Sequence, residues 1–140
     1  MRIIGLDIGS KRIGVAVSDL LGITAQAVET IACRSPESDT QRIAELVEAY
    51  GAGSIVVGMP FNMDGSEGPQ VEKVREFMAQ VKEQIRVPVI EWDERLTTVA
   101  AERMLLEADM SRAKRRKVID KVAAVLILQG YLDSKPSEGD

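Results

Sequence analysis

Histidine is absent from the chain. That absence excludes the Ser-His-Asp and Cys-His hydrolytic mechanisms, histidine acid-base chemistry and histidine-ligated zinc, and leaves any chemistry to carboxylates and lysines. Cysteine is nearly absent as well: Cys33 stands alone, so no internal disulfide can form, and its apolar, strand-like surroundings mark it as packing rather than nucleophile. No charged-then-apolar leader and no long apolar span occur, so a soluble, cytoplasmic protein without membrane contact is expected. Positive charge is not in excess either. A net charge of -4 argues against wrapping nucleic acid with the whole surface and leaves a local basic patch as the way to hold phosphates.

What is present suits one compact domain. With 140 residues and 45% hydrophobic content the chain can bury a real core without staples, over residues 1–133, followed by a polar tail at 134–140 expected to be disordered. The organising stretch is Ile3 to Ser18, in which two β-branched-rich runs flank Gly9-Ser10-Lys11-Arg12. This is the pattern of a β-hairpin. Strand alternation puts Gly5, Asp7 and Gly9 on one face, so a single carboxylate sits among residues without side chains. Such a carboxylate needs a cation, a donor or a metal, and its small neighbours leave room for a ligand.

A third strand is expected over Ile23 to Cys33, then turn residues at Ser35 to Asp39 and a first helix carrying Ile43, Leu46, Val47 and Tyr50 up to Gly51. Ser54 to Gly58 reads as a strand buried on both faces, reached by a crossover into a parallel position. Met59 to Pro69 is a loop at its carboxyl end whose composition suggests mobility, and Val71, Val74, Met78, Val81 and Ile85 trace a second helix from Pro69. A further strand spans Val87 to Trp92, with Pro88 suiting a strand start or an edge. The cluster Asp93 to Thr98 leads into a helix capped by Thr97 or Thr98 and ending near Glu107. A connector at Ser111 to Lys117, with five basic residues in seven, precedes a last helix over Val118 to Leu132. The order β-β-β-α-β-α-β-α-α, with a mixed five-stranded sheet flanked by helices, is a three-layer α/β arrangement that resembles the ribonuclease H-like topology.

Three carboxylates fall at element ends that this topology brings near one another: Asp7, Glu94 and Asp120. Each alone has a structural explanation, such as pairing of Glu94 with Arg95 or a favourable place for Asp120 in the first turn of a helix. Together they supply the hard oxygen ligands that magnesium requires, and with no histidine a two-metal hydrolysis of a phosphodiester is the most economical chemistry. Asp93 competes with Glu94, because neighbours on an extended backbone point to opposite sides and the residues alone leave the choice open. Lys11 and Arg12 at the hairpin, with Arg112, Lys114, Arg115, Arg116, Lys117 and Lys121 beside Asp120, could hold a phosphate backbone around these acids. A solvated surface loop is the plainer reading of that basic run.

The runs Gly5-Leu6-Asp7-Ile8-Gly9-Ser10-Lys11-Arg12, Val57-Gly58-Met59-Pro60-Phe61-Asn62-Met63-Asp64-Gly65, Asp93-Glu94-Arg95-Leu96-Thr97-Thr98 and Asp120-Lys121-Val122-Ala123-Ala124 follow one another in order. In this the chain resembles the YqgF (RuvX) family over almost its whole length. Members are described as pre-16S rRNA nucleases or as Holliday junction resolvases. The resemblance implies a ribonuclease H-like fold, a cytoplasmic nuclease acting in 5′-end maturation of 16S rRNA during ribosome biogenesis, and catalysis with a divalent metal, Mg2+ or Mn2+. Residue by residue it implies Asp7, Glu94 and Asp120 as the catalytic, metal-holding acids. Structured RNA or branched DNA is the implied partner, and a monomer or a homodimer suits the chain equally.

Two other classes compete. The Asp-x-Gly hairpin also looks like the first phosphate loop of actin-like and sugar-kinase ATPases, but that reading needs two such domains and the chain has one such hairpin. A nucleic-acid-binding module without catalysis would leave the three acids structural.

Overall fold

In the computed structural model the described residues are 1–94 and 112–134, with the backbone alone for 112–121. The elements are β1 (Arg2–Ile8), β2 (Arg12–Ser18), β3 (Ala25–Ala32), α1 (Pro36–Tyr50), β4 (Ala52–Met59), α2 (Pro69–Gln84), β5 (Val89–Asp93) and α3 (Arg112–Ser134). The strands form one sheet in the order β3-β2-β1-β4-β5. Antiparallel pairing joins β1 to β2 and β2 to β3, and parallel pairing joins β1 to β4 and β4 to β5. The expected mixed five-stranded sheet is therefore present. The helix expected near Thr97 to Glu107 and the tail from 135 onward lie outside the described residues.

Alternation along the central strands sorts side chains into two clusters, one on each face. Ile4 and Leu6 of β1, Val15 of β2 and Ile55 and Val57 of β4 pack with Ile43 and Leu46 of α1 and Val71, Val74, Met78 and Val81 of α2. On the other face, Ile3, Ala16 and Val56 pack with Ala124, Ile127, Leu128 and Leu132 of α3. Because helices cover both faces, β1 and β4 read as nearly continuous apolar runs, and Asp7 is the exception that the covering has to accommodate.

Element ends differ from expectation for identifiable reasons. Pro36 to Asp39, expected as turn, form the first turn of α1. Ser35 caps it by accepting the Ser38 N–H at 3.1 Å, and Pro36 stands at the start, where no N–H is needed. The helix ends at Gly51, whose φ of 62° is the left-handed cap that glycine adopts without strain. β3 begins at Ala25 rather than Ile23 because the Asp19 carboxylate takes the Ile23 and Thr24 N–H groups at 2.7 and 3.3 Å into the preceding turn. β5 begins at Val89, just after Pro88, which has no N–H to pair but accepts the Ile55 N–H at 2.9 Å.

The largest correction concerns the basic connector. Arg112 to Lys117 do not precede the last helix but open it, in a helix that runs 23 residues to Ser134. Alanine, lysine and arginine are strong helix formers, and no glycine or proline interrupts the chain between 112 and 129. Charge density had suggested a solvated loop where local propensity dictates helix. Among the described residues no helix is long and apolar enough to cross a membrane.

Candidate active site

Asp7 is the penultimate residue of β1, half-buried, and pairs with Gly14 across the hairpin. Two residues earlier on the same face, a β-carbon on Gly5 would lie 2.7 Å from Leu128 Cβ and 3.3 Å from the Ala124 carbonyl oxygen. Glycine thus lets the α3 backbone lie almost directly on β1. The carboxyl end of β1 is in this way brought under the first half of α3.

Glu94 follows β5 directly, and its N–H reaches the Met59 carbonyl at 3.3 Å, carrying the β4–β5 pairing one residue further. Strand alternation then separates it from its neighbour. Trp92 belongs to the α3-side cluster and meets Tyr131 edge-on with ring centroids 5.8 Å apart, and Glu94 lies two residues on, toward the same side. Glu91 is paired from the other side by Arg75 of α2, and Asp93 falls in that register, exposed. Glu94 thus shares the α3 side with Asp7, and Asp93 falls on the α2 side.

The Glu94 carboxylate is pressed into a cradle. A β-carbon on Gly58 of β4 would stand 2.9 Å from Glu94 Oε2 and would overlap Ile127 of α3, so the missing side chain is the space the carboxylate occupies. Oε2 is buried and has no hydrogen-bond partner among the described residues. Burial first, then the negative charges of Asp7 and Asp93, push the Glu94 carboxyl up to about 8. A buried acid facing another acid without a donor is an arrangement that costs stability and that a bound cation would relieve.

Asp120 lies in α3, one turn before Ala124, at the end of the helix nearer the carboxyl end of β1; its side chain is outside the described residues. The same holds for the side chains of Arg112, Lys114, Arg115, Arg116 and Lys117, whose backbone occupies the first two turns of α3. Lys11 is exposed in the hairpin turn and Arg12 opens β2, with the turn closed by the Gly9 N–H on the Arg12 carbonyl at 2.9 Å. Both cations therefore stand at the sheet end that carries Asp7.

The loop at 60–68, expected from composition to be mobile, is drawn together by its own hydrogen bonds. Asn62 N–H reaches the Ser66 carbonyl at 2.9 Å, and the Asp64 carboxylate accepts from the Ser66 N–H and hydroxyl at 2.9 and 2.6 Å. Arg75 then joins Glu67 at the loop exit to Glu91 on β5. Sequence reasoning gave Arg75 no role here and named Gly58 only within the Val57 to Gly65 run, without a role beside Glu94. A glycine inside an otherwise apolar strand, as in Val56-Val57-Gly58-Met59, was the available signal for Gly58.

Comparison with known proteins agrees with this architecture. The protein named "Putative pre-16S rRNA nuclease" from Thermoanaerobacter pseudethanolicus is 55% identical over 139 residues, covering 99% of this chain and 100% of that one. Its namesake from Pelotomaculum thermopropionicum is 57% identical over 136 residues, covering 96% of this chain and 88% of that one. Among solved structures, Thermus thermophilus RuvC in complex with a Holliday junction substrate superposes with a TM-score of 0.57 at 17% identity, covering 94% of each chain. The fowlpox virus resolvase bound to Holliday junction DNA gives 0.57 at 16% identity, covering 96% of this chain and 98% of that one. At such identities the likeness is one of fold, the ribonuclease H-like fold. A family model described as "RuvX: Holliday junction resolvase" matches residues 1–134, and the chain belongs to the RuvX family.

Proposed function

We propose that the protein is a divalent-metal-dependent endonuclease that hydrolyses phosphodiester bonds in structured RNA, acting in 5′-end maturation of pre-16S rRNA in the cytoplasm. The observation that carries this reading is the buried Glu94 Oε2, without a hydrogen-bond partner among the described residues, on the same side of the sheet as Asp7. Oxygen donors alone, one of them buried in a cradle left by Gly58, fit a hard cation such as Mg2+ or Mn2+. Asp7, Glu94 and, from α3, Asp120 would hold it. When bound, such a cation neutralises charge developing on the phosphoryl oxygens and makes water a stronger nucleophile.

The chain's own part is to bind and orient. Glu94 would hold the cation as the deprotonated carboxylate, and Gly58 keeps space for that carboxylate. Lys11 and Arg12 at the hairpin, with the basic first turns of α3, would take the phosphates on either side of the scissile bond. The names of the 55–57% identical relatives support RNA as substrate, and the family description favours a second reading, cleavage of a four-way DNA junction. One assay tests both. A pre-16S rRNA fragment with its 5′ extension and a synthetic DNA junction are incubated with Mg2+, with Mn2+ and with chelator. Metal-dependent cleavage of the RNA at its mature 5′ end is expected; cleavage of the junction alone transfers the reading to DNA, and no cleavage of either refutes it.

A further inference from the structure

On the face of the sheet opposite Asp7 and Glu94 lies a cavity of about 400 Å³, within the range of small-ligand sites, roughly 300–1,000 Å³. Ile8, Ile13, Val74 and Phe77 give it apolar walls, and Gly9 and Ser10 of the hairpin turn form its edge toward the carboxyl end of β1. Asp7 and Ile8 are consecutive in β1, so the cavity and the acids stand back to back across one strand end.

Arg42 is held by Glu29 and Glu45, and Arg75 by Glu67 and Glu91. Arg34 and Lys73, both exposed at the cavity, have no ion pair among the described residues. Deeper in the wall, Asp39 is only 6% exposed and accepts the Arg34 backbone N–H at 3.2 Å, with Gln70 nearby on the lining. A buried carboxylate repels a phosphate but accepts an amino N–H, so the interior suits a nucleobase edge and the rim suits its phosphate. Base stacking on an aromatic wall is the usual way proteins hold an unpaired nucleotide.

We infer that this cavity receives an unpaired nucleobase of the substrate strand next to the scissile phosphate, with Phe77 and Val74 against the base and Arg34 and Lys73 at the phosphate. The strand then crosses the carboxyl end of β1 over Gly9 and Ser10, from the acids on one face to the base site on the other. The inference rests on the nuclease reading. It adds a residue set that selects which nucleotide stands beside the cut.

Cys33, the one cysteine of the chain, lines the cavity and reports on its occupancy. The full chain is alkylated with N-ethylmaleimide in chelator, alone, with a single-stranded RNA 12-mer and with an abasic oligomer of the same length and charge. RNA should slow modification of Cys33 at least fivefold and at least threefold more than the abasic oligomer does. Exchanging the exposed cations, Arg34→Glu with Lys73→Glu, should abolish that protection, and Phe77→Ala should bring RNA down to the abasic level. Equal slowing by both oligomers, or slowing by neither, overturns the base site. Because protection requires no cleavage, an inactive protein that still shows it loses the nuclease reading and keeps the base site. An active protein without protection does the reverse.

Discussion

A β-carbon on Gly58 would stand 2.9 Å from Glu94 Oε2, so the empty position in β4 and the carboxylate after β5 are two halves of one feature. Gly58→Ala should displace both Glu94 and Ile127, with a loss of roughly 1–3 kcal/mol in stability as for other overpacked sites. Single-turnover cleavage should fall at least tenfold. Urea unfolding and cleavage measured side by side check this, and an alanine variant that cleaves at the unmodified rate would detach Gly58 from the site.

The raised carboxyl of Glu94 makes stability depend on pH with a defined sign. In the folded, metal-free protein it keeps its proton up to about 8, while the unfolded chain releases it near 4.5. Between those values the unfolded state binds fewer protons, so stability falls as pH rises. The contribution is complete below 4.5 and gone above about 8. Urea midpoints in chelator at pH 5, 6.5 and 8 should decline in the unmodified protein and decline less in Glu94→Gln; parallel declines count against this assignment.

Asp7→Asn should abolish metal-dependent cleavage while leaving thermal stability equal or higher. The amide relieves the repulsion that Asp7 exerts on Glu94 in the metal-free protein. Thermal melts with and without Mg2+ and a cleavage assay read both effects, and undiminished cleavage would remove Asp7 from the site.

For the neighbouring acids, Glu94→Gln should lower turnover by orders of magnitude with folding intact. Asp93→Asn, on the exposed register with Glu91, should leave turnover within a few-fold. The reverse pattern would make Asp93 the ligand.

The face on which each acid lies was legible in the sequence for Asp7, because the Gly5-x-Asp7 spacing in a strand admits one alternation. It was not legible for Glu94. Its face depends on the register of β5 against β4, Met59 opposite Asp93, which comes from tertiary packing rather than local pattern. The hairpin, the parallel crossover and the helix from Pro69 followed from periodicity and punctuation in the same way. The start of α3 was misread because the five basic residues were weighed as charge, when Arg112 to Lys117 is also a run of strong helix formers. Nothing local in the chain marks Arg75 as the residue joining the 60–68 loop to β5, since its partners lie 8 and 16 positions away.

Because residues 112–117 are helical, their cations are held on a rigid element and not on a loop. Arg115→Ala with Arg116→Ala should weaken nucleic-acid binding and flatten the dependence of log affinity on log salt by about one to two units. Cleavage at saturating substrate should change far less. An unchanged salt slope would place the phosphate contacts on Lys11, Arg12 and the 60–68 loop.

The side-chain amide of Gln129 accepts the Ala25 N–H at 3.0 Å and donates to the Ile23 carbonyl at 2.9 Å, so the last helix supplies hydrogen bonds at the start of a strand made a hundred residues earlier. Among the described residues, the helix packed over Ile3, Ala16 and Val56 is likewise α3, the last of the described elements in chain order. In the order of synthesis the α1–α2 side of the sheet can therefore pack before its α3 side, and the face that carries Asp7 and Glu94 is the later of the two to receive its helix among the described elements.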